Sequence, residues 1–365
     1  MSDVDKCPEC GVPEMITGEH QWLTNDEIVQ KRHQHHRMVF VETENLDPLF
    51  RGIELIIGGS IEHIIITAVR RSVRPYLEAF VPVAVSKKIQ LGELEYKPIV
   101  DIFGDMGGFY GYGKYAYVDL RYEQDEQDFC TYSIAEPHSV PMTVASHIAD
   151  IELLTGVEQG YGYEQVSPDV YHITASPSPH PDALRERMRF EPYRQQQGDL
   201  ELRRCSTCEG PLAIGDNQWY PDRGIIVNRL TGRRMALFGN AQLDPVFDEL
   251  EAELGDTVPR AVVEAQRRFT KSGFYTLDDI TNEEDFRGRL ALRGMGNLKE
   301  LEMMRKGLRM RMENVALPLI LMGLAQGFYE IGFGVDATDI DWELSKEGNL
   351  EMEVEPLQLA GSRDA

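Results

Sequence analysis

The sequence predicts an α+β protein made of two tandem, pseudo-symmetric units, each opened by a cysteine knuckle and a β-hairpin. Three observations carry this. CPECGVP at 7–13 returns as CSTCEGP at 205–211, each a Cys-x-x-Cys followed by a Gly or Gly-Pro turn. A shift of 197 residues lays much of the first half on the second. In each half the apolar pattern runs from strand spacing to helix spacing and back to strand spacing.

The self-match is ordered, nearly gapless and includes rare residues. Gln21-Trp22 falls on Gln218-Trp219, Ile28 on Ile225 and Arg37-Met38 on Arg234-Met235. Leu46-Asp47-Pro48 with Phe50 falls on Leu243-Asp244-Pro245 with Phe247, and Arg70-Arg71 on Arg267-Arg268. Further on, the shift drops to about 177, the spacing from Pro141 to Pro318, so the first unit carries roughly 20 more residues. The acidic, aromatic stretch 92–130 is their expected place.

The elements follow in order. Residues 1–45 form the first knuckle and hairpin, 46–175 the first α+β unit, 176–200 a linker or strap rich in Pro, Ser, charge and Gln. Residues 201–242 form the second knuckle and hairpin, 243–356 the second unit and 357–365 a tail. In the second hairpin, Gln218–Tyr220, Ile225–Arg229 and Arg234–Phe238 are strands between a Pro-Asp-Arg-Gly turn and a Thr-Gly turn. Leu243, Val246, Phe247, Leu250 and Leu254 recur at helical spacing and Gly255 stops that helix. Asp256 or Thr257 caps the next, with Pro259 in its first turn. A Gly-rich turn follows (Gly294-Met295-Gly296, matched to Gly107-Gly108), then strands, a long apolar helix, and a hairpin of Ile340–Leu344 and Leu350–Val354.

Composition bounds the function. The chain has 365 residues, 42% hydrophobic, with a net charge of −24. That length and content suit two buried cores and a soluble protein. The charge argues against sequence-independent DNA or RNA binding, which needs Lys and Arg on phosphates. Two apolar runs, Gly52–Val69 and Val315–Val335, carry charge at depths costly in lipid, so they read as buried helices and no membrane span is expected. Five cysteines, four in Cys-x-x-Cys pairs, and a polar, acidic N-terminus without signal-peptide character fit a reducing, cytoplasmic setting with a metal site.

The order of helix pair, glycine turn, strands, the helix PLILMGLAQGFYEIGFG and then DIDWELSKEGNLEMEV resembles the V4R domain, the vinyl-4-reductase or hydrocarbon-binding family. The family pattern places Gly-x-x-x-Gly in the helix, then a Gly, then a closing hairpin. Gly323 and Gly327 fill the helix positions and Gly332 or Gly334 ends it; in the first unit Ser146 and Asp150 stand at the two glycine positions, and Gly156 ends the helix. The resemblance covers about two thirds of the chain. It implies a fold like that of the vesicle-tethering subunits, with a lipophilic pocket between helices and sheet. It also implies sensing of aromatic effectors or a link to tetrapyrrole reduction. The family's metal-binding cysteines near the last helix are missing; only Cys130 lies near.

Each knuckle supplies two of the four ligands a structural zinc takes. A pseudo-twofold axis would bring them together as one site of Cys7, Cys10, Cys205 and Cys208. The rivals are a two-cysteine, two-histidine site in the first unit, a site shared between chains, or two empty knuckles. All nine histidines lie within residues 1–180. His33, His35 and His36 read as an exposed hairpin turn, with a second metal or an anionic partner as the sharper alternative. His63 reads as a satisfied core histidine. His147 replaces Leu324 and could reach a pocket, as a haem or metal ligand in the least favoured case. FYGYGKYAYVDLRY, 109–122, alternates like a strand with Tyr110, Tyr112 and Lys114 on one face, either as ordinary packing or as a pocket wall stacking on a planar ligand. No P-loop, dinucleotide fingerprint, HExxH or G-x-S-x-G occurs.

The sequence therefore points to a zinc-containing binding protein for a hydrophobic or aromatic small molecule, held by Tyr110, Tyr112 and His147 in the first unit, in a sensor, carrier or accessory role. The alternatives are an enzyme subunit of aromatic-compound or tetrapyrrole metabolism and a scaffold with a protein partner or as a homodimer.

Overall fold

The structure, a computed structural model, describes residues 5–180, 196–276 and 283–357. It is mixed helix and strand, with three antiparallel sheets. The first half runs α1 (Glu14–Glu19), β1 (His20–Trp22), β2 (Ile28–Gln30), β3 (Arg37–Glu42), α2 (Leu46–Ile57), α3 (Glu62–Phe80), α4 (Val83–Gln90) and α5 (Lys97–Phe109). It continues with β4 (Lys114–Arg121), β5 (Phe129–Ala135), α6 (Val140–Thr155), β6 (Gln159–Ser167) and β7 (Val170–Pro177). The second half runs β8 (Asn217–Tyr220), β9 (Ile225–Asn228), β10 (Arg234–Gly239), α7 (Asp244–Leu254), α8 (Val258–Phe269) and α9 (Glu283–Leu292). It ends with β11 (Asn297–Met304), β12 (Gly307–Glu313), α10 (Pro318–Phe333), β13 (Thr338–Leu344) and β14 (Leu350–Pro356).

The two four-stranded sheets have the same order, β4-β5-β7-β6 and β11-β12-β14-β13, and in each the long apolar helix follows the second strand. The third sheet is six-stranded, β1-β2-β3-β10-β9-β8, with three strands from each half. At its centre β3 and β10 place Phe40 opposite Leu237, Met38 opposite Gly239 and Glu42 opposite Met235. Phe40 and Leu237 are themselves superposed by the sequence self-match, so the pairing reads the same from either strand. Every residue of β3 is buried, because both faces of this sheet are covered.

Each half's hairpin is anchored on the other half. Trp22 Nε1 donates to Leu292 O at 3.0 Å, and Trp219 Nε1 to Phe109 O at 3.1 Å. Phe40 N donates to Arg293 O and Leu237 N to Tyr110 O, both at 2.9 Å. The Arg37 guanidinium reaches the Gly294 and Asn314 carbonyls, and that of Arg234 reaches Glu136 O. The helices cross over as well: α2 packs on α8 and α3 on α7, with Asn45 Nδ2 donating to Gln266 Oε1 at 2.9 Å. One continuous apolar core results.

Several elements differ from the sequence reading. The aromatic run is not a strand from 109. Phe109 ends α5, Gly111 and Gly113 have φ of 85° and 111°, and the strand starts at Lys114. Only glycine adopts that backbone readily, so the pair forces a turn between helix and strand. Gly294 and Gly296, at 71° and 118°, make the same turn before β11. The counterparts of Gly294 and Gly296 are therefore Gly111 and Gly113, whereas Gly107 and Gly108 lie inside α5. Most of the first half's extra residues form α4 and its flanks, with a smaller share in the β4–β5 turn. His63 is exposed rather than a core residue. Among the described residues no helix is long and apolar enough to cross a membrane, and the run 52–69 divides between α2 and α3. Of the expected linker 176–200, residues 181–195 lie outside the described residues, as do 358–365 of the tail. At the described end of the linker, Leu200 N donates to Thr24 O at 3.1 Å and Asn25 Nδ2 to Gln196 O at 2.9 Å.

Candidate metal centre and ligand cavity

The two knuckles meet. Each is a tight loop closed by backbone bonds, Gly11 N to Cys7 O in one and Glu209 N to Cys205 O in the other. Lys6 bridges Pro13, and Arg204 bridges Pro211. Gly11 and Glu209, with φ of 76° and 61°, turn the two loops alike. Cys7 Sγ lies 3.6 Å from Cys205 Sγ, and Cys10 Sγ 3.5 Å from Cys208 Sγ. All four sulfurs lie within 4.8 Å of one another, and none is in a disulfide.

Thiolates bound at about 2.3 Å to a tetrahedral ion sit roughly 3.8 Å apart, so this spacing fits one four-coordinate metal. Cys7 and Cys205 are buried and Cys10 and Cys208 half-buried. The Cys10 backbone N–H holds the Cys7 thiol down to about 7, while burial pushes Cys10 up to about 12. Glu9 staples the knuckles: its carboxylate accepts from Ser206 Oγ at 2.6 Å and Thr207 Oγ1 at 2.9 Å, which draw its pKa down to about 2. Among the described residues, these cysteines are the group of three or more Cys, His, Asp or Glu whose ligand atoms converge.

The histidine cluster lies elsewhere, in the β2–β3 turn. His35 is exposed; His33 and His36 are half-buried, with rings 5.4 Å apart. His36 Nδ1 meets Gln30 Oε1 at 3.1 Å, and its ring lies 5.8 Å from that of Tyr76.

Tyr76 leads to a cavity of about 50 Å³ between α3, α5 and α6, lined by Tyr76, Tyr110, Tyr112 and Tyr115 with Ser146 and Asp150. Tyr112 donates to Leu237 O at 3.1 Å and stacks on His138 at 4.4 Å. Tyr76 donates to the Tyr110 hydroxyl at 3.3 Å. Burial raises the pKa values of Tyr76 and Tyr112 well above the usual range and pushes the His138 imidazole down to about 3. His147 does not line this cavity. It is fully buried toward the sheet, with Nε2 3.3 Å from Cys130 O and its ring 5.4 Å from that of Tyr132. Burial pushes its pKa down to about 4, so it is a neutral packing residue there.

The halves differ at this cavity. In the second half Gly323 and Gly327 let α10 lie directly on the stretch from α8 into the following turn. A methyl at 323 would overlap Val263 O and stand 2.6 Å from Gln266 Cβ; one at 327 would stand 2.6 Å from Thr270 Cβ. In the first half, Ser146 and Asp150 occupy the equivalent places on α6 and line the open space instead. Sequence reasoning found Tyr110 and Tyr112 but missed Tyr76, Tyr115 and Asp150. The available signal was a carboxylate in the middle of an otherwise apolar helix. A wider hollow of about 320 Å³, rimmed by Asp125, Glu126 and Asp128, lies between α4, the β4–β5 turn and the end of α6.

Comparison of the chain with protein-family models, with curated proteins and with solved structures returns no match.

Proposed function

We propose that the chain is a duplicated, V4R-like binding protein, held together by one structural zinc, that takes a hydrophobic or aromatic small molecule in its first unit. The observation that carries the binding reading is the tyrosine-lined cavity beside α6, set against the glycine-closed contact at the same place in the second half. Tyrosine offers rigid, amphipathic walls suited to a planar ligand. Tyr110 and Tyr112 are the wall residues; His147 supports α6 from the sheet side. Duplication is supported by the symmetric β3–β10 register and by hydrogen bonds exchanged in both directions. Zinc is supported by the donor set: four sulfurs at tetrahedral spacing suit a soft-ligand, closed shell. Such a shell leaves no open coordination position, so the metal's role is to fasten the two knuckles. A reducing compartment keeps such thiols available, which favours a cytoplasmic setting. The absence of a catalytic constellation in the sequence motifs favours a sensor, carrier or accessory role.

Hydrogen exchange of the full chain with and without saturating phenol tests the binding reading. Protection is expected in residues 73–77 and 103–115. Protection confined to residues 283–333, or none anywhere, would contradict it.

A further inference from the structure

We propose that the cavity beside α6 reads a cationic head group: a small protonated amine seated on the Asp150 carboxylate within the ring of tyrosines. This rests on the reading of the first half as a ligand-binding unit and specifies the chemistry of the ligand.

Asp150 brings an unpaired, buried acid to this cavity. A carboxylate taken out of water is costly unless a cation or hydrogen-bond donors replace the lost hydration. The other carboxylates buried along these two long helices obey the rule. Glu152 lies 3.7 Å from Arg70 Nε and 2.6 Å from His180 Nε2. Glu330 holds Arg267 at 2.6 Å and Lys271 at 2.5 Å, and accepts from Thr338 Oγ1. Asp150 is only 8% exposed, lines the cavity, and has no hydrogen bond or ion pair among the described residues. Burial, with no cation among the described residues to offset it, pushes its pKa well above the usual carboxylate range. The chain thus supplies a cation for each neighbouring buried carboxylate and leaves this one facing a void.

The surrounding groups fit a cation and not an anion. Aromatic faces attract ammonium groups, most strongly where water is excluded. Two of the tyrosine hydroxyls donate elsewhere: Tyr112 to Leu237 O and Tyr76 to the Tyr110 hydroxyl. They fix the rings without satisfying Asp150. Ser146 Oγ is turned to its own helix, donating to Met142 O at 3.0 Å. The cavity has room for a water-sized polar group beside Asp150, which a compact ammonium head matches. The rest of the ligand leaves past the half-buried Tyr76 and Met106.

The test is calorimetric titration of the full chain with benzylammonium, benzyl alcohol and benzoate, which share a ring and differ in head group. Benzylammonium is expected to bind at least about tenfold tighter than the alcohol, and benzoate not at all. Asp150→Asn keeps the shape and removes the unpaired carboxyl, so it should melt no lower than the parent, retain alcohol binding and lose the preference. Ser146→Ala, which keeps Asp150, should retain the preference. Equal binding of ammonium and alcohol overturns the cationic reading and leaves the cavity reading standing. A preference that survives Asp150→Asn also overturns it, by placing the ammonium elsewhere on an acidic surface. If none of the three binds into the millimolar range, both readings fall together.

Discussion

Replacing Gly323 by Ala adds one methyl group at the tightest helix contact of the second half. Two effects oppose each other. In a helix interior, Ala is favoured over Gly by up to about 1 kcal/mol. Against that, the methyl would overlap Val263 O and lie 2.6 Å from Gln266 Cβ and 3.0 Å from Arg267 N. Two of these three neighbours are backbone atoms of α8, so no rotamer change relieves the overlap and the helix itself must shift. Overpacking of this kind costs about 1–3 kcal/mol, and backbone contacts belong at the upper end. The net expectation is a loss of roughly 2 kcal/mol. Gly288 in α9 is the control, because a Cβ there meets nothing within 4 Å. Gly288→Ala should gain up to about 1 kcal/mol. Urea denaturation, with midpoints compared at equal slope, reads both. If Gly323→Ala unfolds at or above the parent midpoint while Gly288→Ala behaves as expected, the close helix contact is wrong. The contrast between this contact and the open cavity beside α6 would then fall with it.

Three further outcomes follow from the same geometry. Cys7→Ser and Cys205→Ser should lower the melting temperature equally, since each removes one thiolate from the same shell; damage confined to one would show that the knuckles act separately. Asp26 is buried with neither carboxylate oxygen hydrogen-bonded among the described residues, and burial raises its pKa to about 7. Its folded value lies above its unfolded one, so its contribution is complete below about pH 4 and is lost as pH rises through 7. Asp26→Asn, tolerated at its φ of 67°, should therefore gain on the parent between pH 5 and pH 8; a pH-independent difference in urea midpoints would contradict this. Residues 1–180 and 201–365 expressed apart should aggregate or melt without cooperativity, because each leaves an indole and an arginine without their carbonyl partners on the other half. Cooperative, monomeric halves in calorimetry would refute the interlocked core.

Much of the architecture was legible because the second half of the sequence matches the first. The shift that superposes Phe40 on Leu237 and Trp22 on Trp219 also sets their geometry: the first pair faces across the central sheet, and the second makes equivalent bonds to opposite halves. The convergence of the four cysteines was expected from the same self-match. What a self-match cannot reveal is which unit a hairpin packs on, since an anchor on Leu292 or on Phe109 leaves the pattern of residues unchanged. The turn at Tyr110–Gly113 was misread because alternation alone does not separate a strand from a turn held by two glycines at positive φ. His147 was placed in a pocket by its position opposite Leu324, but α6 is buried all round, so its sheet-facing side is as apolar in sequence as its cavity side. Asp150 was read only as standing in a glycine position, and the fold shows that among the described residues it has neither a cation nor a donor bonded to it.

The claim most open to direct measurement is that the two knuckles complete one metal site. Native mass spectrometry of the full chain under reducing conditions reads it. One zinc per chain, lost on Cys7→Ser and on Cys205→Ser alike, is the predicted result. Two zincs per chain, or none, would contradict the shared four-cysteine centre.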